Sequence, residues 1–150
     1  MRNALSFHLL ERKASTSGEA TTQARTSVDF LVDETSLLQR LTDEDGGHGD
    51  FMGCFVRDFP EANLAKQKTL LASSPAETED GRVLLYVCPE CGDIGCGAYA
   101  VKVRAIQGIV EWSEFAYVNG YEPPRPIESV GPFLFEPEEY KSVITRSSDA

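Results

Sequence analysis

The stretch that most narrows the possible folds runs from Arg82 to Val118, where apolar residues first form an unbroken run and then recur at every second position. VLLYVC, from Val83 to Cys88, is the continuous β-branched and aromatic run of a strand covered on both faces. Beyond it, Tyr99, Val101, Val103 and Ala105 alternate with Ala100, Lys102 and Arg104, the period of two that a half-buried strand requires. Gln107 and Gly108 supply a tight turn, and Ile109 to Val118 gives a third strand carrying Trp112, Phe115 and Tyr117. The segment therefore predicts an antiparallel meander, its first two strands joined by CPECGDIGCG.

The rest of the chain adds elements to that nucleus. Phe7 and Leu9, then Val28, Phe30 and Val32, show strand alternation and could pair as a hairpin. Residues 13–27 between them are Ser, Thr and Ala-rich with no large apolar side chain, which predicts a mobile loop. Ser36 with Gln39 has capping-box chemistry ahead of Leu37, Leu38 and Leu41, so a short helix is expected over about residues 36–42. The acids Asp43, Asp45 and Asp50 after it lack the spacing of a calcium loop and read as solvated. A weak helix over 61–73 would be anchored by Leu64, Leu70 and Leu71, and Phe51, Met52, Phe55 and Val56 should bury with Cys54 among them. The proline-rich EPPRPIESVGP should wrap the surface before Phe133 and Phe135 enter the core. Pro137 followed by Glu138 and Glu139 opens a terminal helix with Tyr140, Val143 and Ile144 on one face, and residues 146–150 are expected to fray. The sum is a single α+β domain over residues 1–150, with an antiparallel sheet of about five strands and two or three short flanking helices.

Charge and targeting signals bound the function. Twenty-four acidic against fourteen basic residues give a formal charge of −10, a field that repels phosphate backbones and attracts cationic surfaces. Direct nucleic-acid binding is disfavoured on that ground, and a basic protein partner is favoured. The opening MRNALSFHLLERK breaks its apolar stretch at Ser6 and His8 and is no signal peptide, and no run of about 18 apolar residues occurs. A cytoplasmic protein that leaves membranes alone is expected.

In a reducing compartment Cys54, Cys88, Cys91 and Cys96 are thiols or metal thiolates rather than permanent disulfides. Cys88, Cys91 and Cys96 share one glycine-rich connection, and the Cys-Pro-x-Cys-Gly arrangement suits a zinc knuckle. One structural zinc ion would need a fourth ligand, for which Cys54 ranks first and His48, Asp93 or His8 behind it. Thiols packed as small apolar groups are the equal alternative. Redox use is the third reading, although the motif leads into another strand and so lacks the helix dipole that lowers a thiol pKa.

No phosphate-binding glycine loop, nucleophile elbow or paired-histidine metal helix is present. Trp112, Phe115, Tyr117 and Tyr121 crowd the third strand and its exit; core packing accounts for them, while an exposed Trp112 or Tyr121 ringed by Glu111, Glu114 and Glu122 would suit a cationic partner.

The order CPECGDIGCG, then WSEF, then Tyr121 with Glu122, then GPFLF with Tyr140, resembles an uncharacterised family of small bacterial proteins over residues 82–145. The resemblance implies no activity. On the residues, the expected function is a non-catalytic acidic interaction protein, in its sharpest form a bacterial immunity protein that binds and neutralises a toxin. A zinc-stabilised structural or regulatory module is the alternative, and a thiol-dependent oxidoreductase the third.

Overall fold

A computed structural model describes residues 2–12, 15–17, 20–22, 25–45, 53–57, 60–78, 80–87, 97–119 and 122–149. The meander forms as its alternation predicts. Strands β6 (Val83–Val87), β7 (Ala98–Ile106) and β8 (Ile109–Val118) pair antiparallel, and Gly108, at φ +72°, turns the chain between the last two. The far edge of β8 carries two short strands: β9 (Arg125–Pro126) against Ala116 and Tyr117, and β10 (Phe133–Phe135) from Trp112 to Val110.

At the other end of the sequence, β1 (Leu5–Arg12) and β4 (Arg25–Val32) pair from Leu5 opposite Val32 to Arg12 opposite Arg25. Within 13–27, expected to be a mobile loop, the described residues include strand: Arg25–Ser27 belong to β4, and short strands β2 (Ser15–Ser17) and β3 (Ala20–Thr22) pair as a ladder of their own, Ser15 opposite Thr22. Burial was the wrong test for this segment, because a ladder satisfies backbone groups whether or not side chains are covered, and Ser and Thr tolerate the extended conformation. Two left-handed residues, Asp33 (φ 52°) and Glu34 (φ 68°), then reverse the chain into β5 (Thr35–Ser36) as a two-residue hairpin turn.

The two sheets are stitched together at both margins. Cys54 exchanges backbone hydrogen bonds with Val28 of β4 at 2.6 and 2.8 Å, while Gly53 exchanges two of 3.0 Å with Val87 of β6. On the opposite side Asn3 donates from its backbone to Leu134 of β10 at 2.6 Å and accepts from the Leu134 amide at 2.9 Å through Oδ1. The strands thus share one interior, filled by Phe30, Leu85, Trp112, Phe135, Tyr140 and Ile144 among others. A smaller apolar cluster of Leu84, Ala98, Ala100, Ala116 and Val118 covers the other face of the meander, as the unbroken run at Val83 requires.

Three helices complete the described fold. Helix α1 (Leu37–Asp45) is capped by Ser36, whose Oγ accepts from the Gln39 amide at 3.0 Å; the Gln39 side chain turns to Asp43 instead of closing the box. Leu64 is 52% exposed on α2 (Pro60–Leu70), so Leu70, not Leu64, anchors that helix. Helix α3 (Pro137–Ser148) opens on Glu136, which accepts from the Glu139 amide, and buries Tyr140, Val143 and Ile144 as expected. The tail expected to fray is helical through Ser148: Ser147 is buried, Ser148 Oγ donates to Gln67 Oε1 at 2.8 Å, and Asp149 closes the last turn. Among the described residues the fold is α+β, with antiparallel sheets of five, three and two strands. Among the described residues no helix is long and apolar enough to cross a membrane.

Candidate functional site

A β-bulge in β8 controls what the third strand presents. Ala100 faces Ala116, but two positions on, Lys102 faces Ser113, so Glu114 and Phe115 together oppose the single residue Val101. Glu114 takes up the extra length at φ 52°. The insertion shifts the alternation by one, and Trp112 and Phe115, three residues apart, both turn into the core while Ala116 and Val118 join the cluster on the other face. Trp112 is fully buried, with rings of Phe30, Phe135 and Tyr140 edge-on at 5.6, 5.1 and 5.9 Å and its Nε1–H donated to Tyr140 Oη at 3.1 Å. The expectation of a partner contact at Trp112 is thereby corrected: the bulge commits it to packing.

The acids around it fare differently. Glu111 is half-buried opposite Arg104, and Glu122 is exposed, its amide donating to Asn119 Oδ1 at 3.1 Å. The Glu114 carboxylate lies 3.4 Å from both Lys102 Nζ and Arg104 Nη2. Its carbonyl, displaced by the bulge, accepts from Arg82 Nε at 2.9 Å, and Arg82 Nη1 pairs with Asp80. Tyr121 lies outside the described residues.

Next to the bulge, the chain from Ile127 to Pro132 arches over Phe115. Gly131 sits at φ +77°, where a Cβ would come 3.0 Å from the Phe115 ring, so a side chain there would be both strained and crowded. The Gly131–Pro132 peptide is cis. Between arch and bulge lies a hollow of about 280 Å³ bordered by Arg82, Glu114, Phe115, Ile127, Glu128 and Val130.

Of the four cysteines, Cys88, Cys91 and Cys96 lie outside the described residues, as do His48 and Asp93. Their connection leaves β6 at Val87 and re-enters β7 through Gly97, and Val87 and Ala98 are register partners. Gly97, at φ +89°, packs so close to the Tyr117 hydroxyl that no Cβ fits. Tyr117 in turn carries the Arg125 guanidinium 4.6 Å above its ring, and Arg125 holds the buried Asp45 carboxylate at 2.7 and 2.9 Å. Arg125 thus offsets an acid at the negative end of α1. Among the described residues no group of three or more His, Cys, Asp or Glu could hold a metal ion.

Cys54 is buried in the main core, and burial pushes its thiol up from an ordinary 9.0 to about 12. The folded protein therefore keeps this proton after the unfolded chain has lost it. Stability from Cys54 is whole below pH 9 and drains as pH rises toward 12, by about 1.4 kcal/mol per pH unit. Urea denaturation at pH 8 and pH 10 should show the parent losing about 1.4 kcal/mol more than Cys54→Ala over that interval. Equal losses in the two proteins would mean that the thiol is not buried as described.

One buried polar centre escaped the sequence reading. Asp29, only 2% exposed, accepts from Tyr86 Oη at 2.8 Å, the Leu38 amide at 3.2 Å, His8 Nε2 at 2.9 Å and Ser36 Oγ. A carboxylate offers only acceptors, so Nε2 carries the His8 proton. His8 Nδ1 is left free of that bond, so the Asp29 contact does not remove His8 from the candidate zinc ligands. The Tyr86 hydroxyl is itself pushed well above its ordinary range, first by burial and then by the Asp29 charge. Comparison with protein-family models, with curated proteins and with solved structures returned no match, so the likeness over residues 82–145 rests on its motifs alone.

Proposed function

We propose that this chain is an acidic interaction protein that captures a basic partner, in its sharpest form a bacterial immunity protein that neutralises a toxin. The observation carrying the reading is the formal charge of −10, considered together with where the carboxylates are spent. Asp29 and Asp45 are enclosed by donors inside the fold, whereas Glu44, Glu122, Glu128, Glu138 and Glu139 stand exposed. Exposed charge of one sign speeds encounter with an oppositely charged protein and fixes its orientation more than it adds affinity. Affinity purification from the source cell should recover a stoichiometric basic protein that dissociates as salt is raised and whose activity the chain suppresses. Repeated recovery of the chain alone counts against the reading.

A structural zinc ion is the second reading, and one observation favours it. Val87 bonds to Gly53 on one edge and pairs with Ala98 on the other, so the connection bearing Cys88, Cys91 and Cys96 starts and finishes on adjacent strands, beside the point where the segment bearing His48 ends. Cys54 is drawn into the core from that same point, which makes His48 its rival for the fourth position. Native mass spectrometry of zinc-supplemented protein should show one added zinc, and loss of it in either Cys54→Ala or His48→Ala identifies the fourth ligand. A metal-free parent would remove this reading.

A further inference from the structure

We propose that the hollow beside the β8 bulge is an anchor pocket for a single arginine or lysine side chain of the basic partner; the assignment rests on the partner reading above and names the place where it acts.

Lining argues for a side chain. The hollow, at about 280 Å³, has room for one long side chain. Its walls are the Phe115 ring, Ile127, Val130 and two prolines, surfaces that suit the methylene stem of a long cationic side chain. Those walls are also fixed in advance. Ile127 donates its amide to the Phe115 carbonyl at 2.8 Å, β9 is paired to β8, and Arg82 clamps the bulge through the Glu114 carbonyl. A pocket that need not reorganise loses less of its contact energy on binding.

Charge decides the sign of the occupant. Arg82 is the one cation on the lining, and Asp80 already compensates it. Glu114 is shared between Lys102 and Arg104 at 3.4 Å. Glu128, exposed on the rim, has no ion pair among the described residues, so it is the carboxylate left to meet an incoming head group. With Arg82 and Glu114 both compensated, an anionic side chain would meet Glu128 alone, against a molecular charge of −10.

Three small probes test this by amide chemical shifts: N-acetyl-argininamide, its uncharged citrulline isostere and N-acetyl-glutamate amide. The arginine probe should shift the amides of Phe115, Ile127, Val130 and Gly131 to saturation, the citrulline probe should bind about fivefold more weakly, and Glu128→Gln should weaken the arginine probe about two- to fivefold. Equal or tighter binding of the glutamate probe would overturn the assignment, making Arg82 the reading group. A hexa-arginine peptide separates the pocket from the wider reading. If it binds with these four amides silent, the pocket is wrong and a basic partner docks elsewhere; if no cationic probe binds at all, both proposals fall.

Discussion

Trp112→Ala should cost about 3–5 kcal/mol, a large share of the roughly 5–15 kcal/mol that holds a domain together. The residue is wholly enclosed, its ring meets those of Phe30, Phe135 and Tyr140, and its Nε1–H is donated to Tyr140. Truncation removes the largest side chain of the interior and opens a cavity where three elements meet. Thermal unfolding followed by far-ultraviolet circular dichroism should shift downward by about 10 °C or more. Trp112→Phe keeps most of the ring and loses the indole donor; Tyr140 still donates to the Leu70 carbonyl, so about 1–2 kcal/mol is expected. Trp112 is the single tryptophan, so its fluorescence in the parent should be shielded from acrylamide until the chain unfolds. Ready quenching in the folded state would restore Trp112 to the surface and return it to the list of partner contacts.

The same residue shows what could be read from the amino acids and what could not. Strand alternation gave the meander its three elements, because burial on one or both faces leaves a period in the sequence. It did not reveal the bulge: with regular pairing, Trp112 and Phe115 would lie on opposite faces, and only the left-handed Glu114 brings both inside. The turn at Asp33 and Glu34 was hidden for a related reason, since two acidic residues carry none of the glycine signal that such a turn usually shows. The ladder from Ser15 to Thr22 is made by backbone bonds, to which a search for apolar periodicity is blind. The acidic residues of the proposed partner face were visible as charges, but the hollow beside them was not, because it depends on Ile127, Val130 and Gly131 arching over a strand distant in sequence.

Asp29→Ala is the second large effect, expected at about 3–5 kcal/mol, and its size follows from what the carboxylate leaves behind. In VDFLV the acid occupies an outward position by alternation, yet Tyr86 and the first turn of α1 close over it. Without it the buried Tyr86 hydroxyl and Leu38 amide lose an acceptor where water is excluded, each at about 1–3 kcal/mol, while the half-buried Ser36 hydroxyl can turn to solvent. The partners should rank by burial. Tyr86→Phe also orphans the Phe30 amide, which donates to the Tyr86 oxygen at 3.1 Å, so it should cost more than His8→Ala, whose side chain is 47% exposed and can be replaced by solvent. Because Asp29 and Tyr86 lie in one network, their double variant should be more stable than the sum of the single losses implies, by about 1–2 kcal/mol. Urea denaturation of the four proteins in that cycle measures the coupling, and strict additivity would show that Asp29 and Tyr86 do not share the bond that ties β4, β6 and α1 together.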